Sequence, residues 1–191
     1  MPPLKQYTRV DDYRSLPTEG IYIVLTRSQA FLARAIQGFQ RLFQWTLGER
    51  QTELSPNHAD IVKDGYAIGA LKFGVDGNDF RGHYADDKKA IYFVIQPMMT
   101  KMQKVRLWEF MNNQVHEPYA YLDLLRYAFN SFLHKWFGRK QPLDRKKWTC
   151  YSLVASACNF AWNKEIFPNP YKISPIEVVD IVDSLKGIKF N

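Results

Sequence analysis

Asp64-Gly65 stands between two strand-like runs, His58 to Lys63 and Tyr66 to Phe73. This dipeptide restricts the fold more than any other feature of the chain. A two-residue hairpin of the favoured kind needs positive φ at both turn positions, and Asp-Gly supplies it at low steric cost. The turn then permits one register: Lys63 opposite Tyr66, Ile61 opposite Ile68, Asp60 opposite Gly69 and His58 opposite Leu71. Side chains alternate along a strand, so His58, Asp60, Gly69 and Leu71 share one face of the hairpin.

Other strands and helices follow from local pattern. Gly20 to Thr26 is rich in β-branched and aromatic residues and predicts a buried strand. Lys89 to Gln96 predicts another, stopped by Pro97, which cannot donate to a ladder. The polar, Gly- and Asp-rich stretch from Gly74 to Asp87 reads as a loop. Phe31, Ala35, Ile36, Phe39, Leu42 and Phe43 recur at helical spacing after a Ser28 cap, predicting an amphipathic helix that faces the core or, alternatively, a membrane surface. Thr100 to Asn113, Pro118 to Phe137 and Thr149 to Trp162 read as further helices. Ser174-Pro175-Ile176-Glu177 opens a last one, with serine as cap and proline in the first turn. Short strands with several helices, and no βαβ alternation, predict an α+β fold: a small antiparallel sheet packed on helices.

Composition supports one domain over residues 1–191. Apolar residues make up 46%, with 13 Phe, 11 Tyr and 5 Trp, enough to fill a core without covalent staples. Cys150 and Cys158 fall on one predicted helix and cannot bridge each other without breaking it, so no disulfide framework is expected. There is no CxxC, and His58, His83, His116 and His134 never fall at ligand spacing, so neither a metal nor an organic cofactor is expected. The start, Met1-Pro2-Pro3-Leu4-Lys5, has no apolar signal region, and no run of about 18 apolar residues exists to cross a membrane. The expected setting is the cytoplasm or a phage particle. Net charge is +7, and Lys135, Arg139, Lys140, Arg145, Lys146 and Lys147 crowd one segment. A segment of this kind is a solvated loop or suits phosphate, phospholipid or nucleic acid, the last the weaker expectation.

Cys150 begins the predicted helix, and His58 begins the first strand of the hairpin. A helix start favours a thiolate, and a nearby imidazole can take the thiol proton. With two cysteines and four histidines few such pairings are available, and a buried structural cysteine is the alternative for Cys150. Cys158 lies two turns from the helix start and reads as core.

Several segments, in order, resemble one family. Thr18-Glu19-Gly20-Ile21-Tyr22, Ser55-Pro56-Asn57-His58-Ala59-Asp60-Ile61-Val62, Phe73-Gly74-Val75, Glu117-Pro118-Tyr119, Cys150-Tyr151-Ser152-Leu153-Val154 and Ile173-Ser174-Pro175-Ile176-Glu177 are similar to the conserved run of the circularly permuted NlpC/P60 branch (YiiX/YebB-like) of papain-like cysteine hydrolases. The order His58 before Cys150, the reverse of unpermuted papain-like enzymes, belongs to that resemblance. It implies a permuted papain-like fold and a thiol hydrolase or acyltransferase acting on an amide, ester or thioester.

In that scheme Cys150 is the nucleophile and His58 the base, with Tyr119 near the oxyanion beside the Cys150 amide. Arg145, Lys146 and Lys147 would meet a peptide, lipid or acylated substrate, anionic in character. Two positions depart from the family. Tyr151-Ser152 replaces the usual Ser-Glu, and Gly69 falls where the family carries its third polar residue. Asp60, two residues beyond His58 on the same face, is a candidate to orient the imidazole instead; the alternative is a bare Cys150–His58 dyad with water or a backbone carbonyl as orienter. The alternative is a catalytically silent scaffold that serves as a binding or virion-associated structural module.

Overall fold

A computed structural model describes residues 8–10, 12–27, 58–71, 74–84, 91–119 and 148–170. The sheet has six strands: β1 (Thr8–Val10), β2 (Ile21–Arg27), β3 (His58–Lys63), β4 (Tyr66–Leu71), β5 (Gly74–Asp79) and β6 (Ile91–Ile95), in the order β1-β6-β2-β3-β4-β5. Every neighbouring pair is antiparallel. Among the described residues three α-helices accompany it: α1 (Phe80–Tyr84), α2 (Lys101–Asn113) and α3 (Cys150–Trp162). The molecule is therefore α+β, as its unalternated strand and helix pattern predicts. Among the described residues no helix is long and apolar enough to cross a membrane.

The β3–β4 hairpin forms in the predicted register, with Lys63 opposite Tyr66, Ile61 opposite Ile68 and Asp60 opposite Gly69. Asp64 has φ 48° and Gly65 has φ 82°, the left-handed pair that this turn demands. Asp64 also ties the turn to β2: its carboxylate accepts from the Gly20 amide at 2.8 Å and its amide donates to the Gly20 carbonyl at 2.9 Å.

The stretch from Gly74 to Asp87 is not the expected loop. Gly74–Asp79 adds β5 to the outer side of β4, and Phe80–Tyr84 follows directly as α1. Gly, Asp and Asn weaken the local signal for a strand. The open edge of β4 supplies the hydrogen bonds that the side chains do not advertise. Only a partner strand reveals such an element.

Two buried clusters occupy opposite faces of the sheet, as the alternation of side chains requires. Ile21, Ile23, Leu25, Ala59, Ile61 and Ile68 belong to the cluster that α2 and α3 cover. Tyr22, Val24, Val62, Phe80, Tyr84 and Tyr92 belong to the other. Against the first face, Phe110 of α2 meets Trp148 and Phe160, with ring centroids at 5.9 and 5.5 Å.

Both longer helices begin one residue after the predicted starts, with the threonines as their caps. Thr100 closes a capping box with Gln103, and Thr149 closes one with Ser152. Asn163 ends α3 in the left-handed conformation, with φ 51° and ψ 38°. Pro118 and Tyr119, expected to open a helix, instead run beside the segment leading into α3. Trp148 donates its amide to the Pro118 carbonyl at 3.2 Å, and Tyr119 forms a parallel bridge with Trp148. The predicted helices after Ser28 and Ser174, and the rest of the one to Phe137, lie outside the described residues.

Candidate active site

Each side chain of the candidate site is set by an element end or a strand register. Thr149 fixes where α3 starts. Its hydroxyl accepts the Ser152 amide at 3.1 Å, and Ser152 Oγ accepts the Thr149 amide at 2.8 Å. Ser152 thus performs, at the third helical position, the capping work that glutamate does in a common capping box. Cys150 becomes the first residue of the helix, at its positive end. First-turn amides have no acceptor within a helix, so those of Cys150 and Tyr151 remain for other acceptors.

His58 is the first residue of β3, and the Cys150 thiol is near enough to its imidazole to help raise the imidazole pKa. His58 Nε2 lies 2.7 Å from Asp60 Oδ1. With Nε2 facing the carboxylate, Nδ1 is the nitrogen left to exchange a proton with sulfur. The structure thus brings together Cys150, His58 and Asp60. Their relation to the fold is asymmetric: Cys150 belongs to the helix-covered cluster, while Asp60 is on the alternation set of Val62 and Gly69, facing the other way.

Asp60 is completely buried, in a strand flanked on both sides by others. A buried carboxylate costs several kcal/mol unless its oxygens find donors. Here Oδ1 faces the imidazole and Oδ2 accepts the Tyr84 hydroxyl at 2.7 Å. Burial and the Asp60 charge hold the Tyr84 pKa well above its ordinary value, so the phenol stays protonated and donates. The Tyr84 ring is itself braced edge-on against Tyr92, with centroids 5.1 Å apart.

The imidazole feels opposed influences. Burial lowers its pKa, but the Asp60 charge, hydrogen bonds to Asp60 and Cys150, and the Cys150 charge together outweigh it. The net effect is a His58 pKa well above the ordinary histidine value. The site favours an imidazolium between two acidic neighbours.

Tyr119, the expected oxyanion donor, is half-buried and is brought to the α3 start through its bridge to Trp148. Tyr151 is buried beside Cys150 in the chain, and its hydroxyl has no hydrogen-bond partner. Burial, with the Cys150 charge next, pushes its pKa well above the ordinary tyrosine value, leaving a neutral O–H without an acceptor. Sequence reasoning missed Tyr84 and Tyr151. Tyr151 was detectable as the neighbour of Cys150, whereas Tyr84 lies in the stretch read as a loop, where no pattern marked it.

Cys158 is fully buried, and burial raises its thiol to about 12, in keeping with a core residue. Among the described residues no cluster of His, Cys, Asp and Glu could hold a metal ion. Arg145, Lys146 and Lys147 lie outside the described residues. No protein-family model matches the chain, and no curated protein or solved structure is significantly similar to it.

Proposed function

We propose that the protein is a cysteine hydrolase or acyltransferase of permuted papain-like type, acting on an amide, ester or thioester. The observation that carries this reading is the 2.7 Å approach of His58 Nε2 to the buried Asp60 carboxylate, with the Cys150 thiol at the start of α3 near enough to help raise the His58 pKa. Three chemically complementary side chains from two separate elements meet in the order that thiol catalysis uses.

The steps follow from that order. His58 takes the Cys150 proton, giving a thiolate and an imidazolium whose charge Asp60 balances. Sulfur attacks the substrate carbonyl carbon, and the electron pair moves to the carbonyl oxygen. The α3 first-turn amides and a tyrosine hydroxyl supply hydrogen bonds to that oxyanion. As the intermediate collapses, His58 returns the proton to the departing amine, alcohol or thiol, leaving an acyl group on Cys150. His58 then deprotonates water, or another acceptor, which attacks the acyl carbon and releases Cys150. The basic segment preceding α3 favours an anionic or acylated substrate, peptide or lipid, including one presented at a membrane surface. A cytoplasmic protein and a component packaged in a phage particle are both compatible with this chemistry.

The test is acyl-enzyme trapping on a panel of peptide, ester and thioester substrates, read by intact mass. The expected result is a single acyl adduct on Cys150, absent in Cys150→Ala. One observation favours a second reading: Cys150 is only 3% exposed. A scaffold that keeps the three side chains without turnover would give no adduct on any substrate and no alkylation of Cys150 in the folded protein.

A further inference from the structure

We propose that Gly69 and Tyr84 are positioning residues of this site: Gly69 vacates the space that the Asp60 carboxylate fills, and Tyr84 holds that carboxylate there. The proposal rests on the Cys150–His58 reading above. It assigns roles to a residue without a side chain and to a helix of five residues.

The geometry at Gly69 is specific. Gly69 pairs with Asp60 across the β3–β4 ladder, so the two share a face. A Cβ at position 69 would lie 1.7 Å from Asp60 Oδ1 and 2.9 Å from Asp60 Cγ. Those separations are overlaps, far inside van der Waals contact. The same Cβ would lie 3.5 Å from His58 Nε2. The carboxylate therefore occupies the side-chain space of the neighbouring strand, directly beside the imidazole nitrogen.

Backbone conformation does not explain the glycine. Unlike Gly20, Gly65 and Gly74, Gly69 has no positive φ. Glycine inside a strand weakens it, by roughly 0.5 to 1 kcal/mol relative to alanine. A glycine in the interior of a strand paired on both sides, without a conformational reason, marks a close approach. Here the approaching group is the Asp60 carboxylate.

Tyr84 helps fix the orientation of the carboxylate within that space by donating to Oδ2 at 2.7 Å while Oδ1 faces His58. The orienting acid thus acts from β3, through space ceded by β4, and is locked by α1. The absence of a polar side chain at 69 is the condition for Asp60 to serve, not a sign of lost chemistry.

The experiment is a double-mutant cycle with two readouts: the pH dependence of Cys150 alkylation by iodoacetamide, and the protonation state of His58 by nitrogen-15 NMR. Gly69→Ala should slow Cys150 alkylation at mildly acidic pH about 10- to 100-fold, the range seen when partners orienting metal-bound histidines are lost. It should also move the His58 titration downward. In an Asp60→Ala background, where the overlapping oxygens are gone, Gly69→Ala should add less than about twofold, because the two residues act through one contact. Tyr84→Phe, which keeps the ring and removes only the hydroxyl, should shift the His58 titration in the same direction and covers the case in which Gly69→Ala fails to fold. Additive losses from Gly69→Ala and Asp60→Ala, or an unmoved His58 titration in both Gly69→Ala and Tyr84→Phe, would overturn the proposal. A wild-type Cys150 that alkylates no faster than Cys158 would instead overturn the thiol-enzyme reading beneath it.

Discussion

Tyr84 Oη lies 2.7 Å from Asp60 Oδ2, linking α1 to the middle of the β3–β4 hairpin. With Oδ1 turned to His58, both oxygens of a fully buried carboxylate are engaged. Tyr84→Phe leaves Oδ2 buried without that donor. The expected cost is about 1 to 3 kcal/mol in urea unfolding, the penalty for an unsatisfied buried polar group. A change below about 0.5 kcal/mol would mean that the carboxylate is satisfied without the phenol.

The two cysteines should differ sharply as nucleophiles. Cys150 lies at the positive end of α3, where its thiol helps raise the His58 pKa, while Cys158 is fully buried with its thiol raised to about 12. Reactivity follows thiolate fraction and access. Iodoacetamide should therefore label one cysteine of the folded protein, and peptide mapping should place it at 150. His58→Ala should slow that labelling, and His116→Ala, at an exposed residue, should leave it unchanged. Equal labelling of Cys150 and Cys158 would contradict the site.

Stability should carry the signature of His58. Burial pulls its pKa down, but the Asp60 charge and the hydrogen bonds to Asp60 and Cys150 raise it well above 6.5 overall. A group held more basic in the folded chain stabilises the fold fully below its unfolded pKa. That contribution is lost as pH rises through the folded pKa. The stability of wild type relative to His58→Gln should be greatest near pH 6, about the unfolded histidine value, and decline above it. The slope should reach at most about 1.4 kcal/mol per pH unit. A difference that grows from pH 6.5 to 9 would show the imidazole held neutral by the fold.

Under the proposed mechanism Tyr119 and Tyr151 are both candidates for oxyanion donor, and substitution separates them. Tyr151 carries a buried hydroxyl with no hydrogen-bond partner, so the free protein already bears the cost of that orphan. Tyr151→Phe should leave stability unchanged or slightly higher while lowering kcat on an active substrate by roughly 10- to 1,000-fold, the scale up to that of one lost oxyanion donor. Tyr119→Phe should have the smaller effect on kcat. The reverse order would return the role to Tyr119.

Asp60→Asn tests the proposed role of Asp60 as the orienting acid. The amide keeps the shape but removes the charge opposite the imidazolium and disturbs the tautomer. The expected loss is on the order of 2 to 4 kcal/mol in transition-state stabilisation, read from kcat/KM. Turnover within about threefold of wild type, under 1 kcal/mol, would leave a Cys150–His58 pair as the whole machinery.

Local chemistry by itself determined the hairpin and the helix starts. Asp64-Gly65 dictates its turn and register through backbone conformation alone, and Thr149 with Ser152 places Cys150 at a helix N-terminus by capping alone. From the register follows the shared face of His58 and Asp60, so two side chains of the candidate site were legible in one hairpin. The tertiary structure decided the rest, because the rest depends on groups that no local pattern connects. β5 and α1 arise from weakly patterned residues that pair only because β4 offers an open edge. Tyr84 reaches Asp60 only once that helix exists. Gly69 shows the limit most clearly. In the sequence it is a missing side chain, and in the fold it is space already filled by the carboxylate of the neighbouring strand, because volume is shared between strands and not along them.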